Sequence, residues 1–164
     1  MDIPFIGSSS DRTTVAINKA TTRAILLEGG LPVPEGQNLV KGSSLRLDKI
    51  PELPCVVKPV DCENSFGVTL VKSLDEMNQA LSKAYEFSNE VVVDKFIEGR
   101  ELRCSVMEKT LPNGEIEKIV LIPQEYIIDT SRVRSLEDKI KMDEDGLPLG
   151  KYELGEWLWV EFDN

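Results

Sequence analysis

Lys58 closes an apolar run, Pro54-Cys55-Val56-Val57-Lys58-Pro59, and a compact polar segment follows at once, Asp61-Cys62-Glu63-Asn64-Ser65-Phe66-Gly67. A strand of that composition leaves one ammonium where the chain emerges from a core. The polar segment offers consecutive backbone N–H groups. Together they suit a nucleoside triphosphate: the lysine meets phosphate as a point charge, and the loop amides take further oxygens. Taken alone, Lys58 reads equally as a strand-end lysine reaching for water. A second apolar run, Val91-Val92-Val93, ends in Asp94. A buried acid needs a partner, and Lys95 or Arg103 would supply a purely structural one. Lys19 and Arg23 stand four apart on one helical face, which is also the spacing of a solvated stripe. Glu98, Arg100, Glu101 and Arg103 would serve a surface ion network as well as a ligand.

The elements that must position these groups are those of a folded domain. The 164 residues are 41% hydrophobic and 29% charged, ordinary for a globular chain, and suffice for one sizeable domain or two small lobes. Nineteen basic against 29 acidic residues leave a net charge of −10, which argues against nucleic acid or an anionic membrane as partner. A protein so acidic must concentrate positive charge locally to hold a polyphosphate. The chain has no histidine, which removes the usual hydrolase triads, most zinc sites and any histidine base. Cys55, Cys62 and Cys104 lack metal-ligand spacing; Cys55 and Cys104 fall in apolar strand patterns and are expected to be reduced core residues. No apolar run reaches bilayer length and no signal peptide is expected, so the expected location is cytoplasmic.

Ile3 to Gly7 reads as the end of a short strand. Ser8 to Asp11 supply caps for a helix over Asp11 to Glu28, closed by Gly29-Gly30. Strands are predicted over 34–40, 56–60, 66–71, 91–93, 102–107 and 116–122, with Pro112-Asn113-Gly114 as a hairpin turn. Ser73 caps a helix over 74–87 whose Leu74, Met77, Leu81 and Ala84 should face a sheet. Trp157 to Val160 forms a last short strand, its tryptophans suited to core or edge packing. Strands outnumber helices and hairpins connect several of them. This is an α+β pattern of antiparallel sheets flanked by helices.

The motifs in series are Asn18-Lys19-Ala20-Thr21-Thr22-Arg23, Val57-Lys58-Pro59, the loop ending at Gly67, Val93-Asp94-Lys95-Phe96-Ile97 and Glu98-Gly99-Arg100-Glu101. Their order and spacing resemble the ATP-grasp superfamily, in its D-alanine–D-alanine ligase-like branch, over about two-thirds of the chain. The resemblance implies nucleotide held between two lobes. Its divisions are 1–33 as a strand and helix leading from a missing N-terminal domain, 34–97 as the small lobe, and 98–164 as part of the catalytic lobe. It assigns Lys19 and Lys58 to the phosphates, and Asn64 and Ser65 to the mobile loop covering them. Asp94 would take the adenine amino group, Lys95, Phe96 and Ile97 the adenine edge, and Glu101 the ribose hydroxyls. Lys139 corresponds to a later phosphate lysine, near a strand bearing Tyr126. Three departures stand out: Asn18 for aspartate, the extra acid Glu63, and Asp94 for the usual glutamate.

The cofactors implied are ATP and Mg2+. Metal ligands are not evident: Glu161-Phe162-Asp163-Asn164 lacks its expected surroundings, so no metal ligand and no catalytic residue is assigned. The chain is expected to be a fragment or degraded copy. The implied activity is ATP-dependent carboxylate–amine ligation through an acyl phosphate, with ATP and small amino-acid-like substrates as partners and a homodimer as one assembly to test. The alternative is a nucleotide-binding remnant without turnover of its own, and a third reading is another ATP-grasp branch.

Overall fold

The computed structural model of the protein describes residues 7–126, 129, 131–133 and 158–159. The expected strand over 3–6 lies outside them. The described chain divides into two compact units, one running to Ile97 and the next beginning at Glu98, with Val133 returning to the first.

In the first unit, α1 (Ser10–Ile17) and α2 (Lys19–Glu28) replace the single helix that apolar periodicity predicts. Asn18 interrupts it with extended backbone (φ −77°, ψ 104°), and its Oδ1 accepts the Thr21 N–H at 2.8 Å. A short amide side chain competes with the helical carbonyl for that donor, so Asn18 caps a new helix instead of continuing the old one. Gly29-Gly30 ends α2 as expected: Gly30 takes φ 72°, and the N–H groups of Gly30 and Leu31 donate to Leu27 and Leu26 O.

β1 (Gly36–Val40), β2 (Cys55–Pro59), β3 (Thr69–Val71) and β4 (Glu90–Lys95) form one antiparallel sheet in the order β1-β4-β2-β3. α3 (Leu74–Ala84) crosses between β3 and β4. The Glu76 carboxylate accepts from the Lys72 and Ser73 N–H groups at the start of α3. Met77, Ala80, Leu81 and Ala84 make its buried stripe, whereas Leu74, one turn too early, is exposed.

Pleating decides which strand residues meet α3. Cys55 and Val57 of β2 share one face with Val91 and Val93 of β4, and these pack with Leu39, Val71 and the α3 stripe into the core. Burying each valine contributes roughly 1.5–3 kcal/mol. The opposite face carries Val56 and Lys58 beside Val92 and Asp94.

The second unit holds β5 (Glu101–Arg103), β6 (Val106–Thr110), β7 (Ile116–Val120), β8 (Gln124–Tyr126) and β9 (Leu158–Trp159). The strand predicted over 102–107 is two strands because the chain changes partner: β5 pairs with β8, whereas β6 pairs with β7. Cys104 falls at that change and is exposed, not core; its thiol donates to Leu121 O. The hairpin turn forms where Asn113-Gly114 predicts it, with Gly114 at φ 85°. No helix among the described residues is long and apolar enough to cross a membrane.

Candidate functional site

Lys58 faces Val92 in the β2–β4 register, and Asp94 faces Val56, so the two polar residues stand one pleat repeat apart on the same sheet face. Lys58 Nζ lies 2.6 Å from Asp94 Oδ2. Arg23 arrives from α2 and donates from Nη1 to Asp94 Oδ1 at 2.5 Å. The Asp94 side chain is only 8% exposed, against 15% for Arg23 and 27% for Lys58. A carboxylate that deep requires compensation, and here each oxygen has its own cation. Lys95, one of the two structural partners expected for it, is not one of these cations. Lys95, the next residue along the strand, points to the other face, where Nζ lies 3.0 Å from Glu52 Oε2; that bond raises its pKa.

Gly36 of β1 lies directly across from Asp94. A Cβ there would stand 2.1 Å from Val93 O and 2.8 Å from Asp94 Oδ1. The close approach of β1 over the carboxylate therefore needs a residue without a side chain.

Lys19 is the first residue of α2 and fastens the start of the polar loop. Its N–H donates to Val60 O at 2.9 Å, and Nζ donates to Val60 O at 3.3 Å and Cys62 O at 2.5 Å. Burial lowers the Lys19 pKa, and the neighbouring Lys58 ammonium lowers it further; Cys62, Asp61 and Glu63 pull the other way. Two cations are thus held close enough to feel each other, a situation that favours an added anion.

Beyond Cys62 the loop turns sharply. Asn64 and Ser65 both take left-handed backbone (φ 53° and 65°), and the Phe66 N–H donates to Glu63 O at 3.2 Å. Two consecutive positive φ values are what a type I′ turn demands. Asn64 is exposed at the tip and Ser65 half-buried. The far end is pinned: Gly67 has φ 68°, and a Cβ would stand 2.7 Å from Pro59 Cγ and 2.8 Å from Phe87 Cδ2. The Phe66 and Phe87 rings meet at a tilt of 35°, with centroids 6.0 Å apart. The loop is therefore anchored at Lys19 and at Gly67, with its tip presented to solvent.

In the segment expected to read the adenine edge, the Lys95 N–H donates to Glu35 O at 2.7 Å and the Phe96 N–H to Pro54 O at 3.0 Å. Ile97 is 66% exposed. Glu101 lies on β5 of the second unit, opposite Tyr126, which falls in a strand, β8, as expected; Lys139 lies outside the described residues. The structure thus joins Lys19, Lys58, the Asn64–Ser65 turn and Asp94 within one unit. It adds Arg23, whose four-residue spacing from Lys19 was visible but equally consistent with a solvated stripe.

A phosphate-rich ligand fits this set of donors, since two cations share one buried carboxylate and a third, Lys19, feels the Lys58 charge beside them, in a chain of net charge −10. A divalent metal does not fit it: among the described residues no three His, Cys, Asp or Glu side chains group to hold one.

The comparisons with known proteins agree on one family. The family model described as "D-ala D-ala ligase C-terminus" matches residues 28–144. The D-alanine–D-alanine ligase A of Bacillus cereus is 34% identical over 115 residues, 68% of this chain and 38% of that protein. The chain thus spans about two fifths of the length of the curated relatives it matches. The D-alanine–D-alanine ligase structure from Coxiella burnetii superposes with a TM-score of 0.66 at 24% identity, over 76% of this chain and 37% of that one. The ligase from Bacillus anthracis complexed with ATP gives 0.60 at 26%, over 75% and 39%. The α+β fold is that of the ATP-grasp ligases, and the chain belongs to the D-alanine–D-alanine ligase family, within its C-terminal region.

Proposed function

We propose that the chain supplies the ATP-binding part of an ATP-dependent carboxylate–amine ligase whose substrates are small amino acids of the D-alanine type. The observation that carries this is the convergence of Lys58, Arg23 and Asp94, with Lys19 clasping a left-handed polar loop alongside. The relatives are D-alanine–D-alanine ligases, and one neighbouring structure holds ATP.

In the proposed reaction a substrate carboxylate attacks the γ-phosphorus and ADP departs; an amine then attacks the acyl carbon and phosphate departs. This chain's share is charge and orientation. Lys58, the most exposed member of its triad, meets phosphate oxygens, and the Lys19 ammonium adds positive charge at the loop base. The Asn64–Ser65 turn covers the phosphates with its backbone N–H groups. Because the Lys95 and Phe96 N–H groups are spent within the unit, reading of the adenine edge falls to Ile97 and to the carbonyls of the segment, with the exposed Ile97 side chain as an apolar surface for the base. Asp94, occupied on both oxygens, keeps its proposed role toward the adenine amino group through remaining lone pairs. Magnesium, when bound, would supply charge neutralisation for the polyphosphate, and the described residues offer it no ligand set.

The test is calorimetric titration of the full chain with ATP, followed by ADP release measured with Mg2+ and D-alanine. Binding with amino-acid-dependent ADP release is expected. Binding without release would assign the chain to nucleotide capture alone, and no binding would overturn the site.

A further inference from the structure

We propose that Arg23 is a positioning residue that keeps the Lys58 charge available for phosphate, an inference resting on the nucleotide reading of this site. The argument is one of charge. Asp94 carries one negative charge, and Lys58 lies 2.6 Å from one of its oxygens. Alone, that pair would be neutral and offer an incoming phosphate no net attraction. Arg23 takes the other oxygen at 2.5 Å, so two cations share one carboxylate and one positive charge is left over.

Exposure decides where that charge emerges. Asp94 is 8% exposed, Arg23 15% and Lys58 27%, so Lys58 is the member that solvent and ligand reach. Arginine suits the inner position: it stays protonated under burial and meets a carboxylate through a planar fork, whereas a buried lysine sheds its proton more readily. Its place is set by the Asn18 cap, which starts α2 so that Lys19 and Arg23 lie one turn apart on the same side. Lys19 secures the loop, and Arg23 secures the carboxylate.

The experiment titrates ATP and adenosine into full-length wild type, Arg23→Met, Arg23→Lys, Arg23→Met/Asp94→Asn and Lys58→Ala, with thermal unfolding as a folding control. The readout is the ratio of the two affinities, which a purely structural tie would leave unmoved. Arg23→Met is expected to lower the preference for ATP about tenfold, the scale of one charge-assisted contact. Arg23→Lys keeps the cation and is expected to retain most of the preference. The double variant removes one charge of each sign, leaves Lys58 uncompensated, and is expected to restore it. Should Arg23→Met fail to fold, the double variant and Arg23→Lys carry the decision, because neither leaves a buried carboxylate short of a charge.

An unchanged ratio in Arg23→Met, or no recovery in a folded double variant, overturns the role of Arg23. If Lys58→Ala loses the preference while Arg23→Met keeps it, the nucleotide reading stands and only this inference falls. If wild type itself shows no preference for ATP, both fall together.

Discussion

Lys58 Nζ and Asp94 Oδ2 lie 2.6 Å apart across two neighbouring antiparallel strands, one pleat repeat out of direct register. The valines that precede each of them, Val56-Val57 on β2 and Val91 to Val93 on β4, face alternately to α3 and to this polar face, so the strands that build the core also build the ion cluster. Packing and charge placement therefore depend on the same register. A one-residue slip would send Lys58 and Asp94 into the core.

Lys58→Ala is expected to abolish measurable ATP binding, while Glu63→Ala leaves it within about twofold, the small effect typical of an exposed charge. The first removes the cation the triad presents outward and leaves Arg23 and Asp94 as a neutral pair. The second trims a loop acid that lies on the surface. Calorimetric titration decides; unchanged affinity in the lysine variant counts against the whole site.

Asn18→Ala is expected to destabilise the protein by about 1 kcal/mol, the usual cost of a lost N-cap. Asn18→Asp keeps an acceptor for the Thr21 N–H and adds a favourable charge at the start of α2, so it should cost nothing. Urea unfolding midpoints of both variants test this. Equal losses would show that Asn18 acts through something other than capping.

Gly36→Ala is expected to cost about 1–3 kcal/mol, as overpacking does elsewhere, and to weaken ATP binding with it. The added methyl would stand 2.1 Å from Val93 O and 2.8 Å from Asp94 Oδ1, so β1 must move or the carboxylate must turn. Denaturant unfolding and ATP titration are read on the same sample. A wild-type midpoint would mean that β1 yields freely.

Alkaline pH offers a test of the core. Cys55 is fully buried, and burial pushes its thiol up from 9.0 to about 11. Between those values the unfolded chain releases the proton while the folded one keeps it, so its contribution is present below pH 9.0 and is lost as pH rises toward about 11. The loss should amount to roughly 2–3 kcal/mol. Cys55→Ala should show a shallower decline in stability over that window, measured by urea unfolding at a series of pH values. Parallel curves for the two proteins would refute the assignment.

Much of this was readable from residue order. The Gly29-Gly30 stop, the Ser73 start, the Asn113-Gly114 turn and the apolar runs around Val57 and Val92 are local signals, each set by the backbone or burial preference of a few adjacent residues. Where signals failed, a competing interaction had won, local in one case and a matter of strand pairing in the other. Asn18 broke a helix whose periodicity continued through it, and Cys104 left an apolar run because β5 and β6 take different partners.

The amino-acid order by itself determined the α+β character, the series of motifs that resembles the ligase family and the need for locally gathered positive charge if so acidic a chain is to hold a polyphosphate. Only the tertiary structure decided who pairs with whom: that Asp94 takes Lys58 and Arg23 rather than Lys95, and that Lys19 holds loop carbonyls. Strand pleating sends neighbours such as Asp94 and Lys95 to opposite faces, while sheet register and the packing of α2 bring distant side chains within bonding distance. Local preferences specify an element's type. The pairing of charges follows from where those elements come to rest.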